Sequence, residues 1–141
     1  MKIPGLRSDR ETIGGLVFFG RMLDKIRLHA QARLPSEYNL GHGFDGRLCR
    51  FLRIDYTLLV EKTLQETDDT KVLEWCFVQG HRPTEEEIFV FNAFLSKRGW
   101  QDDVSDWVKE QKARLGLSHR DDLQTAFDIH DADEGRKWDS S

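Results

Sequence analysis

Residues Gly41 to Gly46 read GHGFDG, a G-x-G-x-x-G spacing whose backbone N–H groups can cradle a pyrophosphate. That chemistry requires the first glycine to close a β-strand and the last to open a helix. The residues before it, Arg33 to Leu40, contain Pro35 and follow a helical pattern, while Glu61, at the distance expected of a ribose-binding acid, sits inside another helical pattern. A dinucleotide fold is therefore set aside, and the loop is read as a turn leading into a helix capped by Asp45. An anion site is the other use open to three glycines before a helix, with His42 or Arg47 completing it. Asp45 opposes that use, because its carboxylate accepts the same N–H bonds and repels a phosphate.

A second group is Arg21, Asp24, Lys25 and Arg27, four charged side chains within seven residues. On a helical wheel Arg21 falls among Val17, Leu28 and Ala32, so its stem crosses apolar surface and its head needs a carboxylate. Asp24, three residues on, and Asp45, across the fold, are the candidate partners. Two readings stay open: a structural ion-pair network, or a pocket for a small anionic ligand. In the pocket, Arg21, Lys25 and Arg47 bind the anion, Asp24 or Asp45 orients them or acts as base, and His42 stands at the edge.

Metal chemistry is weakly represented. A calcium loop begun at Asp131 needs glycine at position 136, where Arg136 stands. Asp128 and Asp131 with His130 could ligate a divalent ion if His29 or His42 joined them, but the expected state is a frayed, solvated acidic end, and no metal or cofactor is assigned. Cys49 and Cys76 lack C-x-x-C spacing, and neither Cys76 with His81 nor His42 with Cys49 has zinc-finger spacing; both are expected to be buried thiols in a reducing compartment.

The elements that must position these groups follow from composition and pattern. The chain has 141 residues, 33% charged and 38% hydrophobic, with nine Phe and four Trp, enough for a packed core. A net charge of -4 gives no overall drive toward nucleic acid or anionic lipid. Apolar runs such as Leu16 to Phe19 are too short to span a bilayer and the N-terminus lacks a signal-peptide core, so a cytoplasmic protein without nucleic-acid or membrane partners is expected.

Ser8 to Glu11 has capping-box form, and a helical pattern runs to about Arg33, broken at Gly14-Gly15. Leu16, Phe19, Met22, Leu23, Ile26 and Ala30 share one face and Val17 and Leu28 the other, which predicts a central helix packed on two sides. Helices are further predicted after Asp45, after Asp55 with Leu58, Leu59 and Leu64 inward, from Asp69 or Thr70 to Gly80, from Thr84 to Gly99, from Asp102 or Asp103 to Gly116, and from Ser118 through Ile129. No segment alternates long enough to make a strand. The expected fold is an all-α domain of six or seven helices with short loops over residues 1–136, followed by a polar tail, 137–141. Trp75, Trp100 and Trp107 are expected in the core, with Trp138 docking on the domain or a partner.

Several blocks, in order, carry a family resemblance: GGLVFFGRMLDKIRLHAQARLPSEYNLGHGFDGRLCRFLRIDYTLL, VLEWC, FNAFLSKRGWQDD and DDLQTAFDIHDADEGR. Together, over about Ile3 to Arg136, they resemble a family of small bacterial proteins, domain-of-unknown-function family 5069. The resemblance implies a small cytosolic bacterial domain and brings no catalytic residues with it. Two functions are carried forward. The first is a helical binding or adaptor module without catalysis, serving a protein partner or its own oligomer. The second is a small anionic-ligand site or enzyme built from the Arg21 to Arg27 helix and the His42 to Arg47 loop.

Overall fold

The computed structural model describes residues 1–136, so the polar tail 137–141 and Trp138 lie outside the described residues. Over the described residues the fold is all-α, with seven helices joined by short loops and one small hairpin: β1 (Thr12–Ile13), β2 (Leu16–Val17), α1 (Phe19–Ala30), α2 (Phe44–Leu52), α3 (Tyr56–Gln65), α4 (Asp69–Gln79), α5 (Glu85–Ser96), α6 (Ser105–Arg114) and α7 (Ala126–Asp133).

The hairpin corrects the expectation of a helix starting at Ser8. Gly14 and Gly15 have φ of 55° and 81°, the pair of positive values a two-residue I′ turn requires, and they join Ile13 to Leu16 in an antiparallel register. Ser8 and Glu11 do bond as in a capping box, the Ser8 N–H donating to the Glu11 carboxylate at 3.1 Å, but only a turn follows. The chain then enters α1 through Phe18 in a left-handed conformation.

Elsewhere local chemistry sets the boundaries. Asp55 accepts the Thr57 and Leu58 N–H groups to start α3, Asp68 accepts Thr70 N–H to start α4, and Thr84 with Glu87 forms a full capping box on α5. Gly80 ends α4 where it crosses the end of α2: a Cβ there would lie 2.1 Å from the Leu52 carbonyl oxygen, and the next N–H, of His81, donates to that same oxygen at 2.9 Å. Two helix starts are displaced from expectation. Asp102 accepts the Gly99 and Val104 N–H groups within a turn and leaves α6 to begin at Ser105. The last helix starts not at Ser118 but at Thr125, whose hydroxyl accepts the Asp128 N–H while the Asp128 carboxylate accepts the Thr125 N–H.

Helix α1 is central. Phe19, Met22, Leu23 and Ile26 pack against Leu48, Cys49 and Leu52 of α2, Leu59 of α3, Val72, Leu73 and Cys76 of α4, and Phe91 and Leu95 of α5. Each such side chain contributes about 1.5–3 kcal/mol by leaving water. The thiols of Cys49 and Cys76 are free and buried, and burial pushes both up to about 12, so they act as core hydrophobes. Trp75 packs on this core, whereas Trp100 and Trp107 are exposed, contrary to expectation, as are Leu58 and Leu64. Among the described residues no helix is long and apolar enough to cross a membrane.

Candidate functional site

The second face of α1 is charged yet buried. At about 100° per residue, Arg21, Asp24, Lys25 and Leu28 line one side of the helix, away from Phe19 and Met22, and all four are buried. The segment from Leu6 to Asp9, the loop after α1 and helix α7 cover this side, so each charge must be matched inside the protein.

Arg21 is matched by residues far from it in sequence. Its guanidinium donates to both oxygens of Glu134, at 2.7 and 2.6 Å, and to the Arg7 carbonyl at 3.1 Å, and Nε lies 3.1 Å from Asp9 Oδ1. The anticipated partners, Asp24 and Asp45, are not used. Glu134 also accepts the Tyr38 hydroxyl at 2.9 Å and the Arg136 guanidinium. Burial opposes the Glu134 charge, but the Arg21 guanidinium, with Arg136 and Tyr38, outweighs it and holds the carboxyl down at about 2. Burial and the neighbouring Glu134 charge raise the Tyr38 phenol, so it remains a donor.

Lys25 donates to the Asn39 carbonyl at 2.8 Å and stands 2.9 Å from Asp45 Oδ1, with the Phe18 ring 5.3 Å away. Burial lowers the Lys25 amine and raises the Asp45 carboxyl, while their mutual attraction opposes both changes. Asp45 and Asp9 are both fully buried, and the Oδ1 of each lies within ion-pair distance of its cation but off the line of any N–H bond. The other Asp45 oxygen accepts the Gly41 N–H at 3.0 Å. The GHGFDG loop is thus a turn with positive φ at Gly41 and Gly43 that leads into α2 and brings Asp45 under Lys25.

The remaining expected site residues go elsewhere. Asp24 accepts three bonds at 2.9 Å from Arg7, which also binds Asp69, itself bonded to Arg27; this network ties the N-terminal segment to the start of α4. His42 is exposed and bonded through its backbone to Asn39. Arg47 is exposed and lies over the Phe94 ring at 5.3 Å, beside α5. The acidic end is neither frayed nor arranged for a metal: Asp128 and Asp131 are buried and both bind Arg10, while His130 turns to Asp9. Among the described residues no group of three or more His, Cys, Asp or Glu is placed to hold a metal ion.

Arg21 and Lys25 open onto a cleft of about 770 Å³. Glu134 and Tyr38 share its polar wall, and Phe18, Phe44, Trp107 and His130 form an aromatic one. Phe44 meets Phe18 edge-on at 5.5 Å and His130 at 6.4 Å, and Trp107 meets His130 at 5.7 Å.

The segments that build this cleft, from the α1 charges to the acidic stretch of α7, fall inside one continuous family match, residues 3–136. The chain belongs to the DUF5069 family, a domain of unknown function. No curated protein matches it. In this DUF5069 chain, Arg21 and Lys25 of the expected residues line the cleft and Asp45 pairs with Lys25, whereas Asp9, Tyr38 and Glu134 were not expected beside them and His130 was weighed only as a metal ligand. The available signal was a buried cation without an adequate local partner; its partner Glu134 lies 113 residues away.

Proposed function

We propose that this protein binds a small molecule in the cleft, one with an anionic head and a flat apolar body. The observation that carries this reading is Lys25: its ammonium has three donors, donates to the Asn39 carbonyl, stands 2.9 Å from Asp45 as an ion-pair partner, and lines the cleft with a donor to spare. An anionic head would take that donor beside the Tyr38 and Arg21 groups, and the body would lie among Phe18, Phe44 and Trp107. Asp45 works from behind Lys25, whereas Arg21, clamped by Glu134 and paired with Asp9, shapes the cleft more than it binds.

A thermal-shift panel of aryl carboxylates, aryl phosphates and nucleotides tests the reading. A ligand at 100 times its Kd stabilises by about 2.7 kcal/mol, a rise of roughly 5–10 °C in Tm for this size. The shift should vanish in Trp107→Ala, which alters an exposed wall without touching the core. A shift that survives Trp107→Ala and Lys25→Met would place the ligand elsewhere and overturn the reading.

The second reading, a binding module serving an oligomer, is favoured by α5, where Phe89, Val90 and Phe94 are 69%, 56% and 43% exposed. Arg47, Arg50 and Glu86 line one groove with Val90 and Phe94, so charges of both signs border the apolar residues and can pair with those of a second copy. A dimer in light scattering that Val90→Lys dissociates would support it; a monomer at all concentrations would remove it.

A further inference from the structure

We infer that His130 is a proton-transfer group and that the cleft accepts a small carbonyl or carboxylate compound bearing an acidic C–H, an inference that rests on the ligand-cleft reading above. Nδ1 of His130 lies 2.6 Å from Oδ2 of Asp9. Asp9 is fully buried and takes no part in the cleft wall, so it reaches the ring from the protein side. A neutral imidazole carries one N–H, and a carboxylate at Nδ1 claims it, which leaves Nε2 as the bare, basic nitrogen.

The rest of the shell fixes that ring. Phe44 and Trp107 bracket it edge-on, and Arg21, clamped by Glu134, holds the second Asp9 oxygen from 3.1 Å. Glu134, Arg21, Asp9 and His130 therefore form a chain of positioned groups that ends at the cleft. Other histidines lack this setting: His29, His42 and His119 are exposed, and the His81 partner, Glu87, is itself 42% exposed.

The chemistry such a dyad supports is proton abstraction. Nε2 takes a proton from a carbon next to the carbonyl, the C–H electron pair stays on the substrate as an enolate, and the Lys25 ammonium balances the charge on its oxygen. Asp9 stabilises the imidazolium, which returns the proton to the same or a neighbouring carbon, so no oxidant or cofactor is consumed. Among the described residues no serine, threonine or cysteine lines the cleft, which favours proton transfer over acyl transfer. Asp9 is a positioning residue in this scheme.

Two measurements on the full chain test it. Ring ¹H–¹⁵N correlation spectra should show neutral His130 with a proton on Nδ1 and a bare Nε2, and diethyl pyrocarbonate should modify one histidine per chain in a fast phase that His130→Gln removes. Asp9→Asn, where it folds, should slow that phase. A protonated Nε2, or a fast phase unchanged in His130→Gln, would overturn the proposal. A ligand shift with an unreactive His130 would sink this inference alone, and a reactive His130 with no ligand shift would sink the binding reading and, with it, the substrate class inferred here.

Discussion

Replacing Glu134 by glutamine keeps the shape of the side chain and removes its charge from the Arg21 site. In the folded protein the carboxyl is held at about 2, against an ordinary value of 4.5. At 1.36 kcal/mol per pH unit, that difference is on the order of 3 kcal/mol of stability. The sign follows from which state holds the proton. A carboxyl depressed by folding contributes fully above its unfolded value of 4.5, and the contribution is lost as pH falls toward 2. Glu134→Gln also leaves Arg21 buried with only Asp9 as a charged partner, and breaking a buried pair costs about 3–5 kcal/mol. Urea unfolding at pH 7 should therefore show a loss of about 3–5 kcal/mol. Asp9, Asp128 and Asp131 are buried too, so wild-type stability alone mixes several groups, but the gap between wild type and variant isolates Glu134. That gap should narrow between pH 4.5 and 2. A variant within about 0.5 kcal/mol of wild type at pH 7, or a gap that does not change with pH, would refute the account of Glu134 as the counter-charge of Arg21.

Lys25→Met leaves Asp45 buried without its cation and should cost about 3–5 kcal/mol at pH 7, most of it recovered in the double variant with Asp45→Asn; additive losses in that cycle would deny the coupling. Because burial already raises the Asp45 carboxyl, the Lys25→Met variant should gain on wild type as pH falls and Asp45 takes up a proton, measurable by Tm across pH. Gly80→Ala forces a Cβ against the Leu52 carbonyl and should lower stability by about 1–3 kcal/mol, with an unchanged urea midpoint contradicting the close crossing of α2 and α4.

Where one residue acts on its near neighbours, the sequence was legible. Thr84 and Glu87 mark the start of α5, Asp55 that of α3 and Gly80 the end of α4, because caps and breakers work within a few residues. Apolar residues on two sides of the Arg21 to Arg27 stretch also showed that α1 is enclosed. The hairpin escaped notice because only two residues per strand flank Gly14-Gly15, too few to show alternation. For the last helix two caps competed, and the Thr125 to Asp128 box prevailed over Ser118 because Ala126, Phe127 and Ile129 then reach the core. Leu58 and Leu64 were placed inward on hydrophobicity alone, yet they lie on the exposed face of α3, opposite the buried Leu59 and Thr63.

The cleft was half legible for a similar reason. A buried cation could be foreseen from its neighbours on the wheel, but not which carboxylate answers it. Asp9 and Glu134 stand near opposite ends of the described chain, and only the packing of α7 across the N-terminal segment brings both to Arg21. His130 was weighed as a metal ligand because it lies between acidic residues. Those acids turn instead to Arg10, leaving the histidine to Asp9.

The most direct test of the cleft is a ¹H–¹⁵N NMR titration of the full chain with benzoate, phenyl phosphate and related aryl anions. The account predicts saturable shifts at the Trp107 indole and at the backbone of Tyr38 and Asn39, lost in Lys25→Met. Shifts confined to Phe89, Val90 and Phe94 on α5, or shifts at the cleft that Lys25→Met leaves intact, would contradict it.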